Sequence, residues 1–255
     1  MRFLNLRLQN FRNIEFTELP LGNARNFLLG ANGQGKSNLL EALGLATALR
    51  SFRTQTLAAL PRKGGKEYKL AYELEHDTQG LTTLEIHSHL KGRSVWVDGE
   101  KVTRLVEFIG RFPSVTLCSS DLMLLRGSPS ERRRFMDLTL SVVNRDYYTA
   151  IRDLHRGIAE RNRLLKNSGS AAELSAFEAE IAPHASQIAN YREAGMRTLS
   201  EVLCRTYDRI AEADEGPELS FRSNVDCHDT EAYCRLLHES RKRDQMIGAT
   251  QRGPH

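Results

Sequence analysis

The 255-residue chain is 40% apolar and 27% charged with a formal net charge of +4, a balance that suits a globular protein with a sizeable core in one large domain or two smaller ones. No apolar run reaches the roughly 18 residues of a membrane span. The alternating start MRFLNLRLQNF also lacks the apolar core and cleavage site of a signal peptide, so cytoplasmic residence is expected.

In chain order, residues 2–9 send Leu4, Leu6 and Leu8 to one face and Asn5, Arg7 and Gln9 to the other, which predicts a strand. The apolar run RNFLLG (25–30) predicts a second, buried central strand. A helix is expected from about Lys36 to Leu49, with Leu39, Leu40 and Leu43 at helical spacing. Residues 68–76 and 81–90 alternate on either side of DTQG and predict a hairpin. SVWVDGEKV adds a strand with a turn at Asp98-Gly99, and FPSVTLC (112–118) ends this β-rich part.

The pattern then turns helical. Ser128, Pro129 and Glu131 mark a helix start. Helical periodicity continues to Ile210, interrupted only at 166–173. Leu174, Ile181 and Ile188 recur every seventh residue, with Phe177 and Tyr191 beside them. Two long helices folded back as a hairpin follow from this, packed either as a short antiparallel coiled coil or as ordinary helices. A turn and strand are expected at 215–223, then a charged helix to about Ile247; residues 248–255 carry no readable pattern.

The stretch LLGANGQGKSNLLEAL (28–43) fits the phosphate-loop pattern G-x-x-x-x-G-K-[ST] through Gly30, Gly35, Lys36 and Ser37. Glycines let consecutive backbone N–H groups face a polyphosphate, and the following helix adds its positive end. Nucleotide binding is therefore assigned to Gly30, Ala31, Asn32, Gly33, Gln34, Gly35, Lys36 and Ser37. Lys36 would reach the β- and γ-phosphates, and the Ser37 hydroxyl would ligate a Mg²⁺ carried by ATP. No side chain near Ser37 could serve as its base, so no nucleophile or other catalytic residue is assigned.

Smaller signals are weaker. Arg132, Arg133 and Arg134 are consecutive on a helix, so they spread around it and cannot all meet one ligand; at least one is a candidate DNA-phosphate contact. Arg152, Arg156, Arg161, Arg163 and Lys166, interleaved with Asp153 and Glu160, suit a solvated helix face. The four cysteines read as free thiols, and Cys227, His228, Cys234 and His238 fit no short zinc-knuckle spacing.

LQNFRNIEF (8–16), the phosphate loop, RSFRT (50–54), LRGSPSERRRFMD (125–137) and GATQRGPH (248–255) together resemble, in order, the RecF family of bacterial recombination mediators, within the ABC-type ATPases that include SMC proteins. The resemblance implies an α/β fold: an ABC-type P-loop lobe with a mixed sheet over residues 1–118 and a helical lobe with a coiled-coil-like hairpin over 119–214. Residues 215–255 would lead back to the first lobe. It implies ATP binding with ATP-dependent homodimerisation, and binding to single-stranded and gapped double-stranded DNA. It also implies partnership with RecO- and RecR-type proteins in recombinase loading, gap repair and the SOS response. Arg12 would approach the nucleotide, and Arg53 would lie near the phosphates or on the DNA side.

Two departures stand out. Ser119 and Ser120 replace a Pro-Glu pair usual in the family, and no run of four apolar residues followed by Asp-Asp or Asp-Glu occurs. The expectation is a truncated member, or one without its catalytic half, that does not turn over ATP on its own. A small-molecule phosphotransferase and a non-hydrolysing scaffold are the competing readings.

Overall fold

Alternation at the N-terminus builds strand β1 (Arg2–Phe11), whose turn leads into β2 (Ile14–Pro20). Helix α1 (Lys36–Ala48) follows, then the hairpin β3 (Tyr68–His76) and β4 (Gly80–His89), β5 (Gly92–Val97) and the short β6 (Glu100–Lys101). The sheet runs in the order β2-β1-β3-β4-β5-β6, and every neighbouring pair is antiparallel. Its register stacks apolar side chains across strands. Leu8 lies opposite Leu70 and Leu70 opposite Ile86; Tyr72 lies opposite Leu84, and Leu84 opposite Val97. All of these are buried, and each leucine so buried contributes about 1.5–3 kcal/mol. Two short helices, α2 (Leu105–Phe108) and α3 (Met123–Arg126), complete this part.

The computed structural model describes residues 1–54, 56–78, 80–90, 92–211 and 215–254. They divide into two units, Met1–Arg126 and Gly127–His255. His255, the last residue of the GATQRGPH stretch, lies outside the described residues.

Three expectations for the first unit are corrected. Residues 25–30 form no strand, and Phe27 and Leu29 are 81% and 91% exposed rather than buried. Residues 112–118 likewise pair with no strand. A strand exists only through its hydrogen-bonded neighbours, and no described strand runs beside either segment, so apolar composition alone does not create one. In α1 the buried face is Glu41, Ala42, Leu45, Ala46 and Ala48, whereas Leu40 is exposed. Among the described residues the sheet is antiparallel throughout, and β2 was not foreseen.

The second unit is helical: α4 (Pro129–Val143), α5 (Arg145–Lys166), α6 (Ala171–Tyr207) and α7 (Thr230–Ile247). The α4 start is capped as its sequence predicts, with the Ser128 N–H donating to Glu131 at 3.0 Å. Helices α5 and α6 form the expected hairpin. An added Cβ at Gly157 would meet Ile181, Arg161 reaches Glu178, and the Tyr147 and Tyr191 rings meet edge-on at 6.0 Å, contacts ordered symmetrically about the 167–170 turn. The heptad residues Leu174, Ile181 and Ile188 are all buried. Residues 215–223 are irregular rather than a strand.

Arg161 is a further correction: it is fully buried, not solvated. Its guanidinium donates to Glu178 (3.1 Å), Asp244 (2.7 Å), Thr250 Oγ1 (2.8 Å) and the Leu237 carbonyl (2.8 Å). Glu178 also accepts from Arg241. The same unit fixes residues 250–254: the Thr250 N–H donates to Asn162 at 2.7 Å, the Gln251 N–H donates to Asp244, Tyr233 donates to the Arg252 carbonyl and Arg192 to that of Pro254.

Candidate functional site: a phosphate loop backed by a buried carboxylate

Helix α1 begins without a side-chain cap. Its N-cap is Gly35, and its first turn holds no acid. Helices α4 to α7 start instead on Ser128, Asn144, Ser170 and Asp229, each with an acid in the first turn. The leading amides of α1 thus keep their partial positive charge for an incoming anion.

The loop ahead of α1 is held in shape by its neighbours. Gly33 and Gly35 have φ of +83° and +102°, values that favour glycine. A Cβ on Gly35 would stand 2.9 Å from Asn13 Oδ1. Asn13 donates to the Gly33 carbonyl (3.2 Å) and accepts from Asn38 (2.7 Å), which ties the β1–β2 turn to the loop. The Lys36 ammonium donates to the carbonyls of Gly30 (2.7 Å) and Ala31 (2.8 Å) and braces the loop from within. Ala31, Asn32, Gln34 and Ser37 are exposed. The Ser37 hydroxyl, a hard oxygen donor in the first turn, is of the kind that Mg²⁺ takes.

Arg12 lies on the turn after β1 with φ of +57°, a left-handed value uncommon for a residue with a Cβ, held by its N–H donating to the Leu60 carbonyl at 2.8 Å. Its guanidinium grips Glu41 with two bonds, Nε to Oε2 (2.9 Å) and Nη2 to Oε1 (2.6 Å), and donates a third to the Ala59 carbonyl (2.7 Å). Arg53 joins the same group, donating to Asn38 at 2.5 Å and to Glu41 at 3.4 Å. A cleft of about 830 Å³ opens here, lined by Arg12, Asn13, Asn38, Arg53, Arg62 and Lys63, with no acid among its described lining residues. Behind α1, the Tyr72 hydroxyl donates to the Ala42 carbonyl at 2.6 Å, and burial pushes its acidity well away from the ordinary phenol so that it remains a donor. Burial also raises the pKa of Tyr68.

The structure therefore gathers the loop, Arg12 and Arg53 into one site. Arg132, Arg133 and Arg134 stand on α4 in the second unit, where Arg132 is exposed and donates to the Gly127 carbonyl at 3.1 Å. Near Ser119 and Ser120 the backbone turns tightly, and the Asp121 carboxylate accepts from the Cys118 N–H at 2.7 Å. Sequence reasoning missed Glu41. The available signal was an acid four residues before Leu45, on the face of α1 that carries Ala42 and Ala46.

Residues 5–171 match the family described as AAA domain. The "DNA replication and repair protein RecF" of Chlamydia trachomatis serovar L2 is 33% identical, and the match covers all of this chain and 71% of that protein. The protein of the same description from Streptococcus suis is 30% identical, over 98% of this chain and 70% of its own length. Among solved structures, "recombination mediator protein RecF-ATP in RecFOR pathway" superposes with a TM-score of 0.89 at 24% identity, covering all of this chain and 71% of that one. The corresponding "RecF-ATPrS" structure gives 0.85 at 25% identity, over 99% of this chain.

Proposed function

Because the chain belongs to the RecF family of DNA replication and repair proteins, we propose that it is a recombination mediator that binds ATP in the loop 30–37 and DNA on a basic surface. The observation that carries ATP binding is the α1 start: an uncapped helix N-terminus, positive-φ glycines and Lys36 converge where Arg12 and Arg53 stand. Gly30, Ala31, Asn32, Gly33, Gln34 and Gly35 offer backbone amides, Lys36 meets the β- and γ-phosphates, and Arg12 approaches from the side. Ser37 would hold a Mg²⁺ brought in with the nucleotide, which would neutralise phosphate charge when bound. Arg53 stands beside this nucleotide site, since its partners are Asn38 and Glu41, and its exposed part leaves it a candidate DNA contact as well. The likeness to the RecF-ATP and RecF-ATPrS structures of the RecFOR pathway supports this reading.

The DNA substrate is single-stranded and gapped double-stranded DNA, met through arginines such as Arg132, Arg133 and Arg134. The partners are RecO- and RecR-type proteins, and the role is recombinase loading in gap repair and the SOS response in the cytoplasm. ATP drives homodimerisation. No helix among the described residues is long and apolar enough to cross a membrane. This 255-residue chain binds ATP without turning it over, for the sequence holds no apolar run ending in paired acids to position Mg²⁺ and water.

Titration calorimetry with Mg-ATP tests the reading. Wild type binds, Lys36→Ala binds at least about tenfold more weakly with its fold intact, and neither releases phosphate above background. Equal affinity in the two proteins would refute the phosphate-loop assignment, and turnover abolished by Lys36→Ala would refute the absence of hydrolysis.

A further inference from the structure

Glu41 lies one and a half turns into α1, on the face turned away from solvent, and none of its surface is exposed. A carboxylate so placed is costly unless several donors surround it. Here both oxygens are used. Oε1 accepts from Arg12 Nη2 at 2.6 Å and from the Ser51 hydroxyl, while Oε2 accepts from Arg12 Nε at 2.9 Å and Arg53 Nη1 at 3.4 Å. Ser51 in turn accepts the N–H groups of Arg53 (2.9 Å) and Thr54 (3.0 Å), so Glu41 also fixes the backbone that presents Arg53.

The two arginines come from separate segments, the turn after β1 and the loop after α1, and like charges repel. One buried anion between them offsets that repulsion, while Arg53 also meets Asn38 in the first turn of α1 and Asn38 donates to Asn13. Arg12 is 19% and Arg53 43% exposed at the side chain, so each keeps a face toward the cleft. Glu41 has none. It cannot touch a ligand, and its effect must pass through the arginines.

We propose that Glu41 is a positioning residue for the nucleotide site, holding Arg12 and Arg53 as a preset pair of cations for the phosphates of a nucleoside triphosphate. The inference rests on the nucleotide-binding reading above. It predicts that Glu41 matters to ligand affinity only while the arginines are present. A residue that merely stabilises the fold would matter in either background.

The test measures Mg-ATP affinity by calorimetry in the full chain, at a temperature where circular dichroism shows each variant folded. Glu41→Gln keeps the volume but loses the charge and one acceptor, and it weakens ATP binding about tenfold. Glu41→Asp keeps the charge and recovers most of that loss. In the Arg12→Ala/Arg53→Ala background, Glu41→Gln changes affinity less than twofold. Wild-type affinity in Glu41→Gln, or an equal loss in both backgrounds, overturns the proposal. If Glu41→Gln does not fold, Glu41→Asp carries the comparison: its retracted carboxylate weakens binding at least twofold beside the arginines and has no effect without them. No loss, or the same loss in both, overturns it. Failure of this inference leaves Lys36→Ala still defective, whereas failure of the phosphate-loop reading shows as ATP binding indifferent to Lys36, or absent from wild type.

Discussion

At Gly35 two constraints coincide, a backbone φ of +102° and the Asn13 side chain 2.9 Å from where a Cβ would be. Gly35→Ala therefore meets backbone strain of about 1–3 kcal/mol and displaces the amide that holds the Gly33 carbonyl. The expected outcome is stability lower by about that amount in urea unfolding, with ATP affinity reduced at least as far as in Lys36→Ala. Wild-type affinity would show that the loop tolerates another shape. Gly30, Gly35, Lys36 and Ser37 could be proposed from the sequence because the roles proposed for them depend on local backbone geometry, which a short motif encodes. Glu41 was not, because its meaning depends on Arg12 and Arg53, 29 and 12 residues away. Arg53 was placed between phosphate and DNA for the same reason, since its position is set by partners rather than by its own neighbours in sequence.

Elements that close on themselves were equally legible. The β3–β4 hairpin, the Asp98-Gly99 turn, the start of α4 and helices α6 and α7 each carry a period, a cap or a turn residue that acts over a few positions, whereas the break at Asn144 that divides α4 from α5 was not foreseen. Strand β2 escaped because it pairs only with β1 and lies half exposed, so it lacks the clean alternation of a core strand. Segments 25–30 and 112–118 failed the opposite way, with strand-like composition and no described strand beside them. Arg161 was misread because charge alternation along α5 looks the same whether the partners are water or Glu178 and Asp244. Its substitution exposes the difference. Arg161→Met takes the paired cation from buried Asp244 while Glu178 keeps Arg241, and breaking such a group costs about 3–5 kcal/mol. Urea unfolding of the chain should show a loss of that order, and Arg161→Met/Asp244→Leu should recover part of it. A loss below about 1 kcal/mol, the worth of an exposed pair, would contradict the burial of the network.

At the scale of the whole molecule, a net charge of +4 is mild, and the proposed DNA binding would rest on where arginines cluster rather than on their sum. Arginine and lysine contacts read phosphates, and no major-groove recognition element is evident. Affinity for gapped DNA should fall linearly in log K against log salt and change little between unrelated sequences. Binding that persists undiminished at high salt, or that requires one sequence, would count against a phosphate-reading surface. The change from β-rich to helical character was readable from period, the α/β class was implied by the family resemblance, and contacts between distant segments had no sequence signature. One such contact also has a history in time. Arg161 is synthesised 83 residues ahead of Asp244 and 89 ahead of Thr250. At about 5–20 residues per second, the cation waits roughly 4 to 17 s on the ribosome for Asp244. Over that interval α5 and α6 can already pair through their shared apolar seam and through Arg161 and Glu178, while the β3–β4 hairpin, whose innermost partners His76 and Gly80 are four positions apart, has long since closed. The Arg161 network is thus completed only once α7 and Thr250 have been made, long after α5 itself.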